Sequence, residues 1–159
     1  IQCGQSEQEK NRELKRAFEE AMSIITFSPD RLGHALYLPN CVWEILYARE
    51  HKIPIECCPT SNVLTTGVDR STDIETCLRD HHSQLSFWIR NGYPFSINTD
   101  DPGIFNTHST NEYQIIARAF TMNEIEICDL VLKSIDHIFD TSDIKAKLEK
   151  SMKNKMIFL

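Results

Sequence analysis

The chain of 159 residues has few glycines (5) and few prolines (6), and these do not gather into a Gly-, Ser- or Pro-rich linker. No low-complexity segment and no repeat of fixed period interrupts it, which argues for one modest domain with its own core rather than a string of modules. No apolar run approaches the roughly 20 residues of a membrane span. The opening IQCGQSEQEKNRELK is polar and charged, unlike a secretory leader. Excess positive charge is missing too. A net charge of -6 argues against a nucleic-acid or anionic-membrane surface, so neither is expected as a partner. The six cysteines form no CxxC pair and are expected to be reduced, mostly buried small hydrophobes, which predicts an intracellular, cytoplasmic setting.

What remains is ordinary for a globular protein: 41% hydrophobic and 25% charged residues, patterned in alternating short segments. Leu14, Phe18, Ala21, Met22 and Ile25 recur at helical spacing, predicting a helix over Ser6 to Ile25. RLGHALYL reads as a short strand end, and Cys41 to His51 as a helix. KIPIECC, bounded by Pro54 and Pro59, reads as a strand, and Thr60 to Thr76 as a polar loop. A helix over His82 to Asn91 is expected to stop at Gly92 in the position after its last turn. YPFSINT is a strand. THSTNEYQIIARAF, TMNEIEICDLVLKSIDHIF and TSDIKAKLEKSMKNK follow as helices, the last two with N-caps expected at Thr121 and at Thr141 or Ser142. Short apolar strands alternating with helices predict parallel β/α units. A doubly wound sheet and a (β/α) barrel both fit this order.

In either architecture the chemistry lies at the carboxyl ends of the strands. Those ends carry His34, then Cys58-Pro59-Thr60-Ser61-Asn62, then Asn98-Thr99-Asp100-Asp101. Singly, each has a bland account: a core histidine, a turn, a helix-entry loop. Together they predict a site, because a site at that face draws on several strands. Adjacent carboxylates repel, so Asp100 and Asp101 each need solvation or a partner of their own. His51, His81, His82, His108 and His137 fall on or beside helices and are expected to be exposed or to cap. Cys57 and Cys58 point to opposite faces of a strand and cannot both serve one metal.

In that order and at roughly that spacing, DRLGHA, IPIECCPTSN and FSINTDDPGIF resemble the adenosine/AMP deaminase family, most nearly its adenosine deaminase-like branch acting on N6-methyl-AMP. STNEYQIIARAF resembles the helix that follows the aspartates there. The likeness runs from Ile1 to about Lys155 and matches the carboxyl-terminal half of the family's domain. It implies an α/β fold, the carboxyl-terminal half of a TIM (β/α) barrel of the metal-dependent hydrolase type. Residues 1–159 would form a single partial domain comprising the last four β/α units and the C-terminal helices, with strands near 1–3, 31–34, 53–58 and 94–98. The activity implied is hydrolytic deamination of a purine nucleoside or nucleotide monophosphate such as adenosine or N6-methyl-AMP, with Zn2+ as cofactor and a metal-activated water attacking C6 of the purine.

By the same resemblance Asp100 is the metal ligand, and His34 is the catalytic residue that orients and deprotonates the water. Asp101 is the substrate-binding residue at the purine, and Thr60, Ser61 and Asn62 wall the pocket. The family's strand-five motif falls on QCGQ, which puts Gln2 in place of a zinc-binding histidine and Gln5 in place of the glutamate that protonates the purine ring. Glu7 is a displaced candidate for that acid. The family's first-strand HxH pair has no counterpart here. One secure ligand, Asp100, does not hold zinc, so this chain alone is expected to bind no stoichiometric metal and to be inactive. A complementary half barrel or a second copy is the expected partner for its open edges. The alternative reading is a catalytically dead deaminase remnant acting as a binding or regulatory subunit.

Overall fold

The computed structural model describes residues 7–65, 72–81 and 84–156. Three strands, β1 (Leu32–Gly33), β2 (Ile55–Cys57) and β3 (Phe95–Ile97), form one sheet in the order β1-β2-β3. Both pairings are parallel, with Leu32 opposite Ile55 and Glu56 opposite Ser96. The helices are α1 (Glu7–Phe27), α2 (Asn40–Ala48), α3 (Pro59–Thr65), α4 (Ile74–Thr76), α5 (Leu85–Asn91), α6 (Pro102–Phe105), α7 (Ser109–Phe120), α8 (Glu124–Ser134) and α9 (Ser142–Met156). Helices fill every connection between the parallel strands, as a crossover requires. The strands expected at 31–34, 53–58 and 94–98 are all present. The strand expected near 1–3 lies outside the described residues.

Alternation along each strand fixes which face is covered. Ile55, Cys57, Phe95 and Ile97 are buried, while Glu56 and Ser96 between them are half-buried. The buried side packs against α2, α5 and α7 through Val42, Leu46, Leu85, Trp88 and Ile116, each 0% exposed. Trp43 joins them, its ring centroid 5.4 Å from that of Trp88 and 5.9 Å from that of Tyr93, the latter edge-on. Tyr93 Oη donates to the Ile53 carbonyl at 3.0 Å and ties the entrances of β3 and β2 together. Burial and that bond push the Tyr93 hydroxyl in opposite directions, and burial prevails, leaving it at about 12.

The opposite face of the sheet is polar rather than apolar. Arg31 Nε pairs with Glu56 Oε1 at 3.0 Å across β1 and β2, and Gly33 leaves room there, since a Cβ on it would lie 4.0 Å from Glu56 Oε2. The Arg31 guanidinium also lies 3.8 Å from the centroid of the Phe139 ring and donates to the His137 carbonyl at 2.8 Å. The segment leading into α9 is thereby anchored to the start of β1. Among the described residues, no helix is long and apolar enough to cross a membrane.

Some local expectations fail for tertiary reasons. The loop expected over Thr60 to Thr76 begins instead as α3, with Pro59 in its first turn and Pro59, Thr60, Ser61 and Asn62 all buried. Thr and Ser compete poorly for helix by propensity, but here their hydroxyls are taken up by acids from other elements. Residues 66–71 lie outside the described set. The third helix begins at Leu85 rather than His82, after a π-helical turn over Cys77–His81. It does end on Gly92, at φ 60° in the left-handed region. The N-cap of α8 is Asn123, whose side chain accepts from Glu126 N–H while the Glu126 carboxylate accepts from Asn123 N–H. Thr121, the expected cap, instead closes α7 in the left-handed region, because two residues separate it from the first turn of α8.

Candidate active site

Left-handed backbone at two strand ends builds the site. His34, directly after β1, has φ 56°, and Asp100, beyond β3, also has φ 56°. L-residues other than glycine, and to a lesser degree Asn and Asp, resist this region, and such strain gathers at functional positions. The two turns bring side chains from β1 and β3 together across the end of β2, which lies between them. His34 Nε2 stands 3.5 Å from Asp100 Oδ2.

The first turn of α3 holds both residues in place. His34 Nδ1 and Asn62 Oδ1 are hydrogen-bonded at 2.7 Å, and Ser61 Oγ donates to Asp100 Oδ2 at 2.7 Å. An amide oxygen only accepts, so Nδ1 carries a proton and Nε2 is the nitrogen that faces Asp100. Glu112, 0% exposed on α7, anchors that turn in its own place. Its carboxylate accepts from Thr60 N–H at 3.0 Å and from the hydroxyls of Thr60 and Thr107. A buried carboxylate with several donors is satisfied without a cation.

Cys58 completes the group. The donor atoms of His34, Cys58 and Asp100 all lie within 4.8 Å of one another. The Cys58 thiol is pushed up to about 12, first by burial and then by the Asp100 and Glu56 carboxylates, while the Asp100 backbone N–H acts in the other direction. Cys57, on the helix-covered face, is fully buried, and burial followed by the neighbouring Cys58 raises its thiol as well. An open cleft of about 410 Å³ is lined by His34, Glu56, Cys58, Asn98, Asp100 and Ser109, among others. A second cavity of about 310 Å³ lies at the opposite, amino-terminal end of β3 beside Trp88, Pro94 and Leu130. In parallel β/α folds the chemistry belongs to the carboxyl end, so the cleft at His34 is the candidate site.

Of the residues singled out in the sequence, His34 and Asp100 meet. Asp101 is exposed, one residue farther along, and is not among the residues lining the cleft. Its carbonyl accepts from Ile104 and Phe105 N–H and opens the short α6. Gln2 and Gln5 lie outside the described residues, and Glu7 is exposed in the first turn of α1. Ser61 and Asn62 do more than wall a pocket, since they hold the two residues that meet. Cys58, named among the strand-end residues but given no role of its own, lines the cleft, whereas Glu112 was not foreseen as a contributor. The signals for them were present: Cys58 alternates away from the apolar Cys57, and Glu112 is an acid on the same helical stripe as Ile115, Ile116 and Ala119.

An imidazole nitrogen, a thiol and a carboxylate around one point fit zinc, which takes nitrogen, sulfur and oxygen donors without geometric preference of its own. Residues 17–155 match the adenosine deaminase family model. The N6-methyl-AMP deaminase of Homo sapiens is 34% identical over 142 residues, an alignment covering 87% of this chain and 38% of that protein. The solved apo structure of the N6-methyl-AMP deaminase from Arabidopsis thaliana superposes with a TM-score of 0.73 at 28% identity, covering 86% of this chain and 37% of that one. A solved ADAL–IMP complex gives 0.75 at 27% identity, covering 89% and 38%. The chain thus spans well under half the length of the relatives it matches. The family match begins after Gln2 and Gln5.

Proposed function

The chain belongs to the adenosine deaminase family, and on that premise we propose that it supplies one wall of the active site of a hydrolytic deaminase acting on a purine nucleotide, N6-methyl-AMP in the first instance. The approach of His34 Nε2 to Asp100 Oδ2 at 3.5 Å carries the reading, because an imidazole and a carboxylate side by side at the strand ends are the groups a base and a metal ligand would need to be. The relatives named N6-methyl-AMP deaminase and the IMP complex support the substrate class. A bound divalent cation would supply a water acidic enough to act as nucleophile near neutral pH.

The chain's own residues would do the rest. Asp100 would ligand the cation, its Oδ2 oriented by the Ser61 hydroxyl. His34, with Nδ1–H held by Asn62, would take the water's proton at Nε2 and orient the water toward C6. A C6–O bond would form, His34 would pass the proton on to the departing nitrogen as the C6–N bond breaks, and methylamine would leave from N6-methyl-AMP to give IMP. Asp101 would accept from the purine. Gln5 could hydrogen-bond a ring nitrogen but has no proton to give it, so protonation of the ring would be the weakened step.

The test is a fusion of this chain to the amino-terminal part of the human relative that the alignment leaves uncovered. Turnover of N6-methyl-AMP by the fusion, absent from the 159-residue chain alone and abolished by His34→Ala or Asp100→Asn, is the expected result. A folded, zinc-loaded fusion without turnover of N6-methyl-AMP, AMP or adenosine would favour the second reading, a remnant that binds but does not catalyse. Gln2 and Gln5 would favour that second reading if they stand where the family carries its His and Glu.

A further inference from the structure

We propose that the cavity between α5, the start of β3 and α8 is a second binding site, one that takes a small organic monocation: a single ring or short hydrocarbon body carrying a protonated amine. It lies at the amino-terminal end of β3, at the opposite end of the strand from the cleft that holds His34 and Asp100. None of the residues assigned to the deaminase reaction lines it, so the proposal stands or falls independently of that reading.

The size and floor of the cavity come first. Its volume of about 310 Å³ is at the lower end of the range for small-ligand pockets, which suits one ring and a short chain rather than a nucleotide. Its walls are largely hydrocarbon and aromatic. Trp88 and Phe95, both buried, have ring centroids 5.9 Å apart, and Leu130 of α8 is buried beside the cavity. Met122 is half-buried there, and its unbranched thioether adapts to the shape of a guest. Tyr93 has its hydroxyl committed to the Ile53 carbonyl. A Cβ on Gly92 would meet nothing within 4 Å, so that part of the rim is open. The charged residues then decide what enters. Glu126, Asp129 and Asp136 line the cavity, against one lysine and one histidine. Lys133 is already committed, its Nζ 2.6 Å from Asp129 Oδ2. Burial, above all, holds His137 below its ordinary 6.5, so it does not balance the acids near neutral pH. Lys145 donates to the Asp136 carbonyl at 2.7 Å but is not ion-paired to its carboxylate. The Glu126 carboxylate accepts from Asn123 N–H, and among the described residues neither Glu126 nor Asp136 is in an ion pair. Two carboxylates without a cation beside an aromatic floor are the complement of an ammonium on an apolar body. The acids attract the charge, the rings add cation–π attraction, and the body is removed from water. The same acids repel an anion of equal size.

The test titrates phenethylamine into the full 159-residue chain and, in parallel, into the fusion with the human amino-terminal part, followed by nuclear magnetic resonance of the backbone amides and the tryptophan indoles. Saturable shifts at Trp88, Tyr93 and Leu130 are expected, with a dissociation constant of about 0.1–1 mM for a ligand of about nine non-hydrogen atoms. The uncharged 2-phenylethanol should bind about fivefold more weakly, the worth of a partly exposed charge pair, and phenylacetate should not bind. Asp136→Asn should weaken phenethylamine about threefold and leave 2-phenylethanol unchanged. Glu44→Gln, at an exposed acid on α2, should change neither. If Asp136→Asn does not fold, the comparison of amine, alcohol and acid on the unsubstituted protein decides alone. No saturable shift in either protein up to about 10 mM, equal affinity for amine and alcohol, or shifts confined to the cleft at His34 would each overturn the proposal. Shifts at the cavity that grow with protein concentration alone would seat a second copy of the chain there and overturn it too.

Discussion

Asn62 Oδ1 and His34 Nδ1 stand 2.7 Å apart, and that contact decides which nitrogen of the imidazole faces Asp100. The two residues come from different elements, the first turn of α3 and the end of β1, so the tautomer is fixed by tertiary structure. Asn62→Leu should leave the fold intact in far-ultraviolet circular dichroism and lower turnover of N6-methyl-AMP by the fusion with the human amino-terminal part at least about tenfold, because a ring free to turn no longer holds Nε2 toward the water. Asn62→Asp, which restores an acceptor, should recover most of it. Unchanged turnover in Asn62→Leu would show that the contact does not orient the ring.

Glu112 should matter to stability out of proportion to its distance from the cleft. Glu112→Ala leaves the Thr60 N–H and the Thr60 and Thr107 hydroxyls buried without their acceptor. The expected loss is about 2–4 kcal/mol, read as a lower urea midpoint at unchanged slope. Glu112→Gln should cost less, because an amide oxygen still serves one donor and the hydroxyls can rotate. Equal stability of wild type and Glu112→Ala would refute the anchoring role.

Burial holds His137 below its ordinary 6.5, with Lys145 and Arg31 acting in the same direction and Asp136 against them. The unfolded chain therefore takes up the proton first as pH falls. Stability contributed by the neutral ring is fully present above pH 6.5 and fades as pH drops below it. Chemical denaturation at several pH values should show a steeper acid loss in wild type than in His137→Gln as pH falls below 6.5. Parallel curves for the two proteins would contradict this.

If Gln5 occupies the place of the proton donor, Gln5→Glu in the fusion with the human amino-terminal part should raise turnover of N6-methyl-AMP by about 10²–10⁴. Far-ultraviolet spectra and zinc content should not change. A rate within twofold of the unsubstituted fusion would show that QCGQ is not the strand-five motif.

Much of this arrangement was readable along the chain, and the exceptions share a cause. The parallel strands and most helices follow from local periodicity, as at Ile55-Glu56-Cys57 and along Ile115, Ile116 and Ala119. His34 and Asp100 were identifiable as strand-end residues. What local pattern could not supply were contacts between residues far apart in sequence. Glu112 reaches Thr60 across 52 positions, and Asn62 reaches His34 across 28. Those contacts turned an expected loop into α3 and placed Cys58 within reach of the cleft. The shift of the α8 cap from Thr121 to Asn123 has a local cause instead: the capping box with Glu126 was in the sequence and outweighs a lone threonine.

The left-handed backbone at His34 and Asp100 also sets a direction for evolutionary drift. At His34 glycine would cost about 1–2 kcal/mol less, and at Asp100 by a smaller margin, since Asp tolerates this region better. Stability alone would favour replacing both, so their presence opposes the thermodynamic gradient at two sites at once. In lineages released from selection on the cleft, glycine or asparagine should appear at these two positions ahead of changes in the Trp43–Trp88 core. The pair thus works as a gauge, showing from sequence alone whether a given descendant still depends on its chemistry.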